Sequence, residues 1–270
     1  MKWIDRHAYD WGSAFARVLY PFFRKRRRIA VDNVLKAGIT ADPKAADHIA
    51  RMAWGHLAGH ICEALCVPHV ITRENWREHL DVLEGHPEAV KLLLDTPDTP
   101  ILLVSAHHGV WEAATNLLSF ARPMIAIARV MNNRLVARWM KKHHFRGPVT
   151  VVDKNNGFTP AVLKQWLDEK AAMTILMDQH TARGLPLTFL GRPAKTFTTA
   201  TRLAMRYGYP VVVGSFVRIA PYRYRLVGGA PVRYEESYGK EGFTQLLNDR
   251  LGEAIRKYPE QYLWSHRRWR

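Results

Sequence analysis

The residues of this 270-residue chain best suited to chemistry stand in one short string, His107-His108-Gly109-Val110-Trp111-Glu112. A carboxylate that holds one ring nitrogen of a histidine fixes its tautomer and makes the other nitrogen more basic, which suits it to take a proton from a hydroxyl. On one regular helix His107 and Glu112 would lie on different sides. If His107 instead closes a strand and Glu112 sits in the first turn of the following helix, Gly109 lets the chain fold back so that the carboxylate reaches the ring. The chain has no Gly-x-Ser-x-Gly elbow, and neither cysteine is near in sequence, so no protein nucleophile is required. By itself the pair also fits a satisfied histidine beside a surface glutamate at a helix start.

The flanking segments predict how such a site is held. Pro100 to Ala106 (PILLVSA) is a continuous apolar run after a Pro-Asp-Thr-Pro turn, the pattern of a strand buried on both faces. Further runs stand at Met124 to Val130, Val149 to Asp153, Ala172 to Met177 and Pro210 to Ile219. Helical stretches at Ala113 to Phe120, Leu135 to Phe145, Thr159 to Lys170 and Thr198 to Tyr207 separate them. This alternation predicts an α/β fold with a mainly parallel central sheet flanked by helices, whose chemistry gathers where strands end. Asp42 to Glu84 reads as helical, with Asp42-Pro43 as its start signal. Tyr222 to Val227 and Pro231 to Tyr234 read as edge strands, and Phe243 to Lys257 as a late amphipathic helix. One domain is expected over 1–270, with an amphipathic segment at 1–28, a helical region at 29–98 and an α/β core at 99–270.

With 47% hydrophobic and 24% charged residues the chain is composed like a folded globular protein rather than a disordered one. Its 40 Lys and Arg against 24 Asp and Glu leave +16, which asks for an anionic partner. Nucleic acid, an anionic membrane surface, a phosphorylated lipid or an acidic carrier protein would each satisfy that field. Trp3, Ile4, Trp11, Phe15, Val18, Leu19, Phe22 and Phe23 recur at near-helical spacing and run into Arg24, Lys25, Arg26, Arg27 and Arg28. Aromatics beside a cationic run form an interfacial anchor pattern. An amphipathic helix packed on the body with its basic run in solvent is the plainer alternative. The longest charge-free stretch, Thr99 to Trp111, is shorter than the roughly 20 apolar residues that cross a bilayer. Asp5, Asp10 and Arg17 interrupt any signal-peptide core, so the N-terminus is expected to be retained. Cys62 and Cys66 share a helix with His56 and His60. They are expected to be core thiols without a metal, because one helical face seldom converges four ligands. No cofactor is expected.

Several blocks, taken in order, resemble the bacterial lipid A late acyltransferases of the lysophospholipid acyltransferase superfamily. The string His107 to Glu112 is similar to that family's His-Phe-Gly-Asn-Trp-Glu form of the His-x4-Glu motif. Arg129-Val130-Met131-Asn132-Asn133 resembles its Tyr-Arg-Pro-x-x-Asn block, Met177-Asp178-Gln179 its Asp-Gln element, and Phe189-Leu190-Gly191-Arg192-Pro193-Ala194 its Phe-Phe-Gly-x-Pro-Ala turn. The tail, Tyr258-Pro259-Glu260-Gln261-Tyr262-Leu263-Trp264-Ser265-His266-Arg267-Arg268-Trp269, is nearly continuous with the family's ending. Departures are Val110 for the Asn before the signature Trp, His143 for an Arg, and His180 after Gln179.

The resemblance implies transfer of a fatty acyl group from a thioester, on acyl carrier protein or coenzyme A, to a hydroxyl of a membrane glycolipid such as a lipid A precursor. His107 and Glu112 would act as the general-base dyad, and Arg129, Asn133, Arg146, Asp178 and Gln179 would contact substrate. It further implies work at the membrane surface, on the cytoplasmic face of the bacterial inner membrane as a peripheral or monotopic protein. Arg129, Arg134, Arg138, Lys141, Lys142 and Arg146 form a basic stretch suited to anionic ligands. Another lipid acceptor, a lysophospholipid or aminolipid, stays open. In a different class, the Trp264 to Arg270 cluster could grip nucleic acid, although no nucleic-acid-binding motif accompanies it. Asp178 could alternatively bind a metal in a hydrolase, or simply cap the turn after a strand.

Overall fold

Alternate residues of the run after Pro100 face opposite ways, and both faces are covered. Leu102 and Val104 of strand β2 (Ile101–Ser105) join one apolar cluster, and Ile101 and Leu103 join another on the other side of the sheet. That is why the run is apolar throughout instead of alternating with polar residues. The structure is a computed structural model that describes residues 3–128, 147–153 and 159–269.

Along the chain the elements are α1 (Trp3–Leu19), α2 (Arg24–Lys36), α3 (Pro43–Val70), β1 (Leu80–Asp81), α4 (Pro87–Val90), β2, α5 (Trp111–Leu118), β3 (Met124–Ala128), β4 (Val149–Asp153), α6 (Pro160–Asp168), β5 (Ala172–Leu176), β6 (Leu185–Phe189), β7 (Arg192–Thr196), α7 (Thr199–Tyr207), β8 (Val211–Ala220), β9 (Arg223–Gly228) and α8 (Gly239–Lys257). A seven-stranded sheet runs in the order β1-β9-β8-β2-β5-β3-β4, parallel at every pairing except β8 with β9. The α/β fold with a mainly parallel sheet and a helical N-terminal part is therefore as expected. Helices α2, α6, α7 and α8 cover one face; α5 and the end of α3 cover the other.

Departures from the expected elements have local causes. The helical pattern from Asp42 stops at Val70, because the chain turns extended at Ile71 and enters a 3-10 turn and the short edge strand β1. Pro231 to Tyr234 contributes a single bridge, Val232 to Val211, and no strand, since Pro231 and Arg233 make no further ladder bonds there. The expected turn at Phe189 to Ala194 closes the hairpin β6–β7, whose two strands no period in the sequence predicted. Its turn places Leu190 and Gly191 both at positive φ, 51° and 76°, as a two-residue hairpin loop demands. The expected helix Leu135 to Phe145 lies outside the described residues.

Helix α1 lies on α3 at close range. A Cβ on Gly55 would come within 2.7 Å of the Arg17 side chain, and one on Gly59 within 2.8 Å of Tyr9. The opposite side of α1 is unpartnered among the described residues: Trp3, Trp11, Phe15 and Val18 are exposed, and Phe22 beyond the helix is 78% exposed. Arg24, Lys25, Arg26 and Arg28 are exposed next to this stripe, while Arg27 is tied to Asp47 by two 2.8 Å bonds. Among the described residues no helix is long and apolar enough to cross a membrane.

Candidate active site

Strand β2 ends at Ser105, His107 follows two residues later, and α5 begins at Trp111 with Glu112 in its first turn. Gly109 makes the bend at φ 70°, and a Cβ there would lie 1.9 Å from the Phe216 carbonyl oxygen, so only glycine fits. The strand-to-helix geometry read from the sequence is thus present.

At His107 Nδ1 the carboxylate partner is Asp178. His107 Nδ1 lies 2.8 Å from Asp178 Oδ1, and the His107 backbone N–H donates to Oδ2 at 3.0 Å. The cause is strand register. Parallel neighbours β2 and β5 pair Ser105 with Leu176, and Met177 N–H donates to Ser105 O at 3.0 Å, so the residues two beyond each strand end meet. Burial works to raise the Asp178 carboxyl, but the His107 charge, both His107 hydrogen bonds and the nearby Arg268 guanidinium outweigh it and hold it below the ordinary carboxylate range. An ionised carboxylate only accepts, so the neutral His107 ring carries its proton on Nδ1 and keeps a lone pair on Nε2. Gln179 Nε2 stands 3.1 Å from that lone pair and caps it. Trp111 presents an edge-on contact to the His107 ring at 5.3 Å and another to His60 at 4.6 Å.

Glu112 lies close enough for the His107 charge to act on it. Burial pushes its carboxyl above the usual range, and that charge opposes the shift. Negative charge here would favour an imidazolium at His107 over the neutral ring. His107, Glu112, Asp178 and Gln179 therefore gather at one place. Arg129, Asn133 and Arg146, with Arg134, Arg138, Lys141 and Lys142, lie outside the described residues.

The tail holds the loop from the other side. Leu263 N–H donates to His107 O and Gly109 N–H to Gln261 O, each at 3.0 Å. Gln261 is itself pinned by its side chain, which accepts from Arg218 N–H and donates to Arg218 O, both at 2.9 Å. Trp264 and Arg268 are 1% exposed, so these two tail residues are packed away from any stacking or phosphate contact. His108 is wholly buried and donates from Nε2 to Tyr258 O at 3.0 Å, which makes it a structural residue. His56 Nε2 also reaches the Gly109 carbonyl oxygen at 2.9 Å, a contact that no spacing in the sequence predicted. Its signal was a polar residue on the inward face of a helix. His107 borders a shallow apolar crevice between α3 and the tail, lined by Ala53, Leu57, Tyr262 and Leu263. Among the described residues no three His, Cys, Asp or Glu side chains gather as metal ligands.

The family model of bacterial lipid A biosynthesis acyltransferases matches residues 5–270. Comparison with curated proteins gives no match.

Proposed function

Because the chain belongs to the bacterial lipid A biosynthesis acyltransferase family and is an acyltransferase, we propose that it moves a fatty acyl group from an acyl carrier protein or coenzyme A thioester to a hydroxyl of a lipid A precursor. The observation that carries this reading is the His107 ring, oriented by a buried carboxylate at Nδ1 and meeting a polar amide at Nε2.

The acceptor hydroxyl takes the place of the Gln179 amide at Nε2 and gives up its proton to His107. The resulting oxygen nucleophile attacks the thioester carbonyl carbon. The tetrahedral intermediate then collapses with rupture of the C–S bond, and the leaving thiolate takes the proton back from Nε2. Asp178 keeps the ring in the reactive tautomer throughout, and Glu112 offsets the positive charge that the ring gains.

The chain works as a peripheral or monotopic protein at the inner membrane, with the α1 stripe in the headgroup boundary. Trp11, Phe15, Val18 and Phe22, spaced four, three and four apart, form one apolar face. Arg24, Lys25 and Arg28 beside it meet anionic headgroups, each contributing about 1 kcal/mol near such a surface. The same positive field favours an acidic carrier protein.

Mass spectrometry of total lipids from cells with and without the expressed protein tests the reading. A lipid A precursor should gain one acyl group, and the gain should vanish with His107→Ala. A gain on a lysophospholipid or aminolipid instead would reassign the acceptor, and no acylated lipid at all would overturn the function.

A further inference from the structure

Taking the acyl transfer above as given, we propose that Tyr9 and His56 are positioning residues for His107, so that helix α1 both carries the exposed aromatic stripe and holds the catalytic loop.

His56 lies on the inner side of α3, 4% exposed, and its Nε2 is 2.9 Å from the Gly109 carbonyl oxygen. A carbonyl only accepts, so Nε2 carries the ring proton. Nδ1 must then accept, and the Tyr9 hydroxyl of α1 donates to it at 3.0 Å. Both donor directions are therefore determined by chemistry. Burial pushes His56 down to about 4 and Tyr9 up to about 12, so both groups stay neutral through the physiological range and the chain of bonds does not reverse.

The bonded peptide matters. Gly109 O is held by His56, while the N–H of the same peptide, on Val110, donates to Phe216 O at 2.7 Å. This peptide is the hinge between His107 on one side and Glu112 on the other. A rotation of it would change the relation of the two side chains, and small displacements of reacting groups are costly in rate. Tyr9 in turn has little freedom. The Arg218 guanidinium sits 3.7 Å from its ring centroid and is tied to Glu63 at 2.9 Å, and Gly59 leaves no space behind the ring. Glu63 also accepts from the Tyr224 hydroxyl at 2.9 Å, which anchors the assembly to β9.

The test uses the full chain with dodecanoyl-acyl carrier protein and mixed micelles of bacterial lipid extract. His56→Leu should lower kcat about 10- to 100-fold with KM changed by less than about twofold. His56→Gln, whose Nε2–H can still reach the Gly109 carbonyl, should recover most of the loss. Tyr9→Phe should cost about two- to fivefold, and the double variant Tyr9→Phe/His56→Leu should be no slower than His56→Leu, because Tyr9 acts through His56. A kcat for His56→Leu within about twofold of wild type overturns the proposal, as does an equal loss in His56→Gln or an additive double variant. The Nδ1–H resonance of His107 gives a second readout that needs no turnover. It should shift in His56→Leu and stay in place in His56→Gln, and an unmoved resonance in His56→Leu also overturns the proposal. If wild type transfers no acyl group, the acyl-transfer reading fails while this resonance still decides the positioning. If His56→Leu does not fold, Tyr9→Phe decides in its place, since an unmoved resonance and unchanged kcat there are likewise fatal.

Discussion

Asp178 grips His107 twice, through the ring at 2.8 Å and through the backbone N–H at 3.0 Å, although 71 residues separate them in the chain. One carboxylate thus sets both the tautomer of the imidazole and the position of its Cα. Asp178→Asn keeps the size of the side chain but can present an amide N–H to Nδ1, which favours the wrong tautomer. It should lower kcat about 10²- to 10⁴-fold with little change in KM. Thioester consumption measures this, and near wild-type turnover would remove Asp178 from the mechanism. Glu112→Gln, which loses charge but not the tautomer lock, should fall less far than Asp178→Asn.

Gln179 caps the Nε2 lone pair that receives the proton in the proposed reaction, and its removal should uncover Nε2. Acylation of His107 by diethyl pyrocarbonate, followed by mass spectrometry of the peptide, should run about three- to tenfold faster in Gln179→Ala than in wild type. An unchanged rate would mean that the amide does not shield the ring.

The bend at Gly109 tolerates no side chain, because a Cβ would meet the Phe216 carbonyl oxygen at 1.9 Å and the backbone sits at positive φ. Gly109→Ala should destabilise the protein by about 3 kcal/mol or more, read as a fall in the thermal midpoint. Gln261→Ala, which frees the strap that accepts from Gly109 N–H, should cost about 1 to 3 kcal/mol. A midpoint unchanged in both variants would contradict the clamped loop.

Two buried histidines give the stability a pH dependence. Burial pushes His56 and His108 each down to about 4, against about 6.5 in the unfolded chain. Between those limits the unfolded chain binds protons that the native state refuses, so stability falls as pH drops, by up to about 1.4 kcal/mol per pH unit for each ring. Above about 6.5 neither ring contributes a slope. Asp178, with its lowered carboxyl, acts in the same direction only further into acid. His108→Gln retains a donor for Tyr258 O and should reduce the slope seen in urea titrations between pH 6.5 and 4.5, where the raised Glu63 and Glu112 carboxyls act in the opposite direction. A slope unchanged by His108→Gln would mean that the ring protonates without unfolding.

Membrane contact should separate into two parts. Deleting the N-terminal segment would strip α1 from α3 and damage the fold, so substitutions on its outer side are the cleaner probe. Trp11→Ser with Phe15→Ser and Phe22→Ser should weaken flotation with neutral and anionic vesicles alike. Arg24→Glu with Lys25→Glu and Arg28→Glu should weaken binding to anionic vesicles about 10²-fold or more and leave neutral ones unaffected. Equal binding of wild type to both vesicle types would take the basic run out of the contact.

What the sequence by itself determined is local. The apolar runs, the helical stretches between them, the bend at Gly109 and the place of Glu112 in a first helical turn all follow from period and from neighbours within a few residues. His107 was legible as a strand-end candidate for a base for the same reason, and the tail block was legible only through its resemblance to the family's ending. Only the tertiary structure decided which groups reach the ring. Alternation of strand and helix predicts a parallel sheet but not its strand order, and Asp178 meets His107 solely because β5 pairs with β2 in the register that sets Leu176 beside Ser105. Gln261 holds the loop because the chain returns past α8 to the mouth of the sheet, and His56 reaches Gly109 because α3 crosses behind the loop. Such contacts between distant segments depend on how whole elements pack, and no spacing along the chain encodes that.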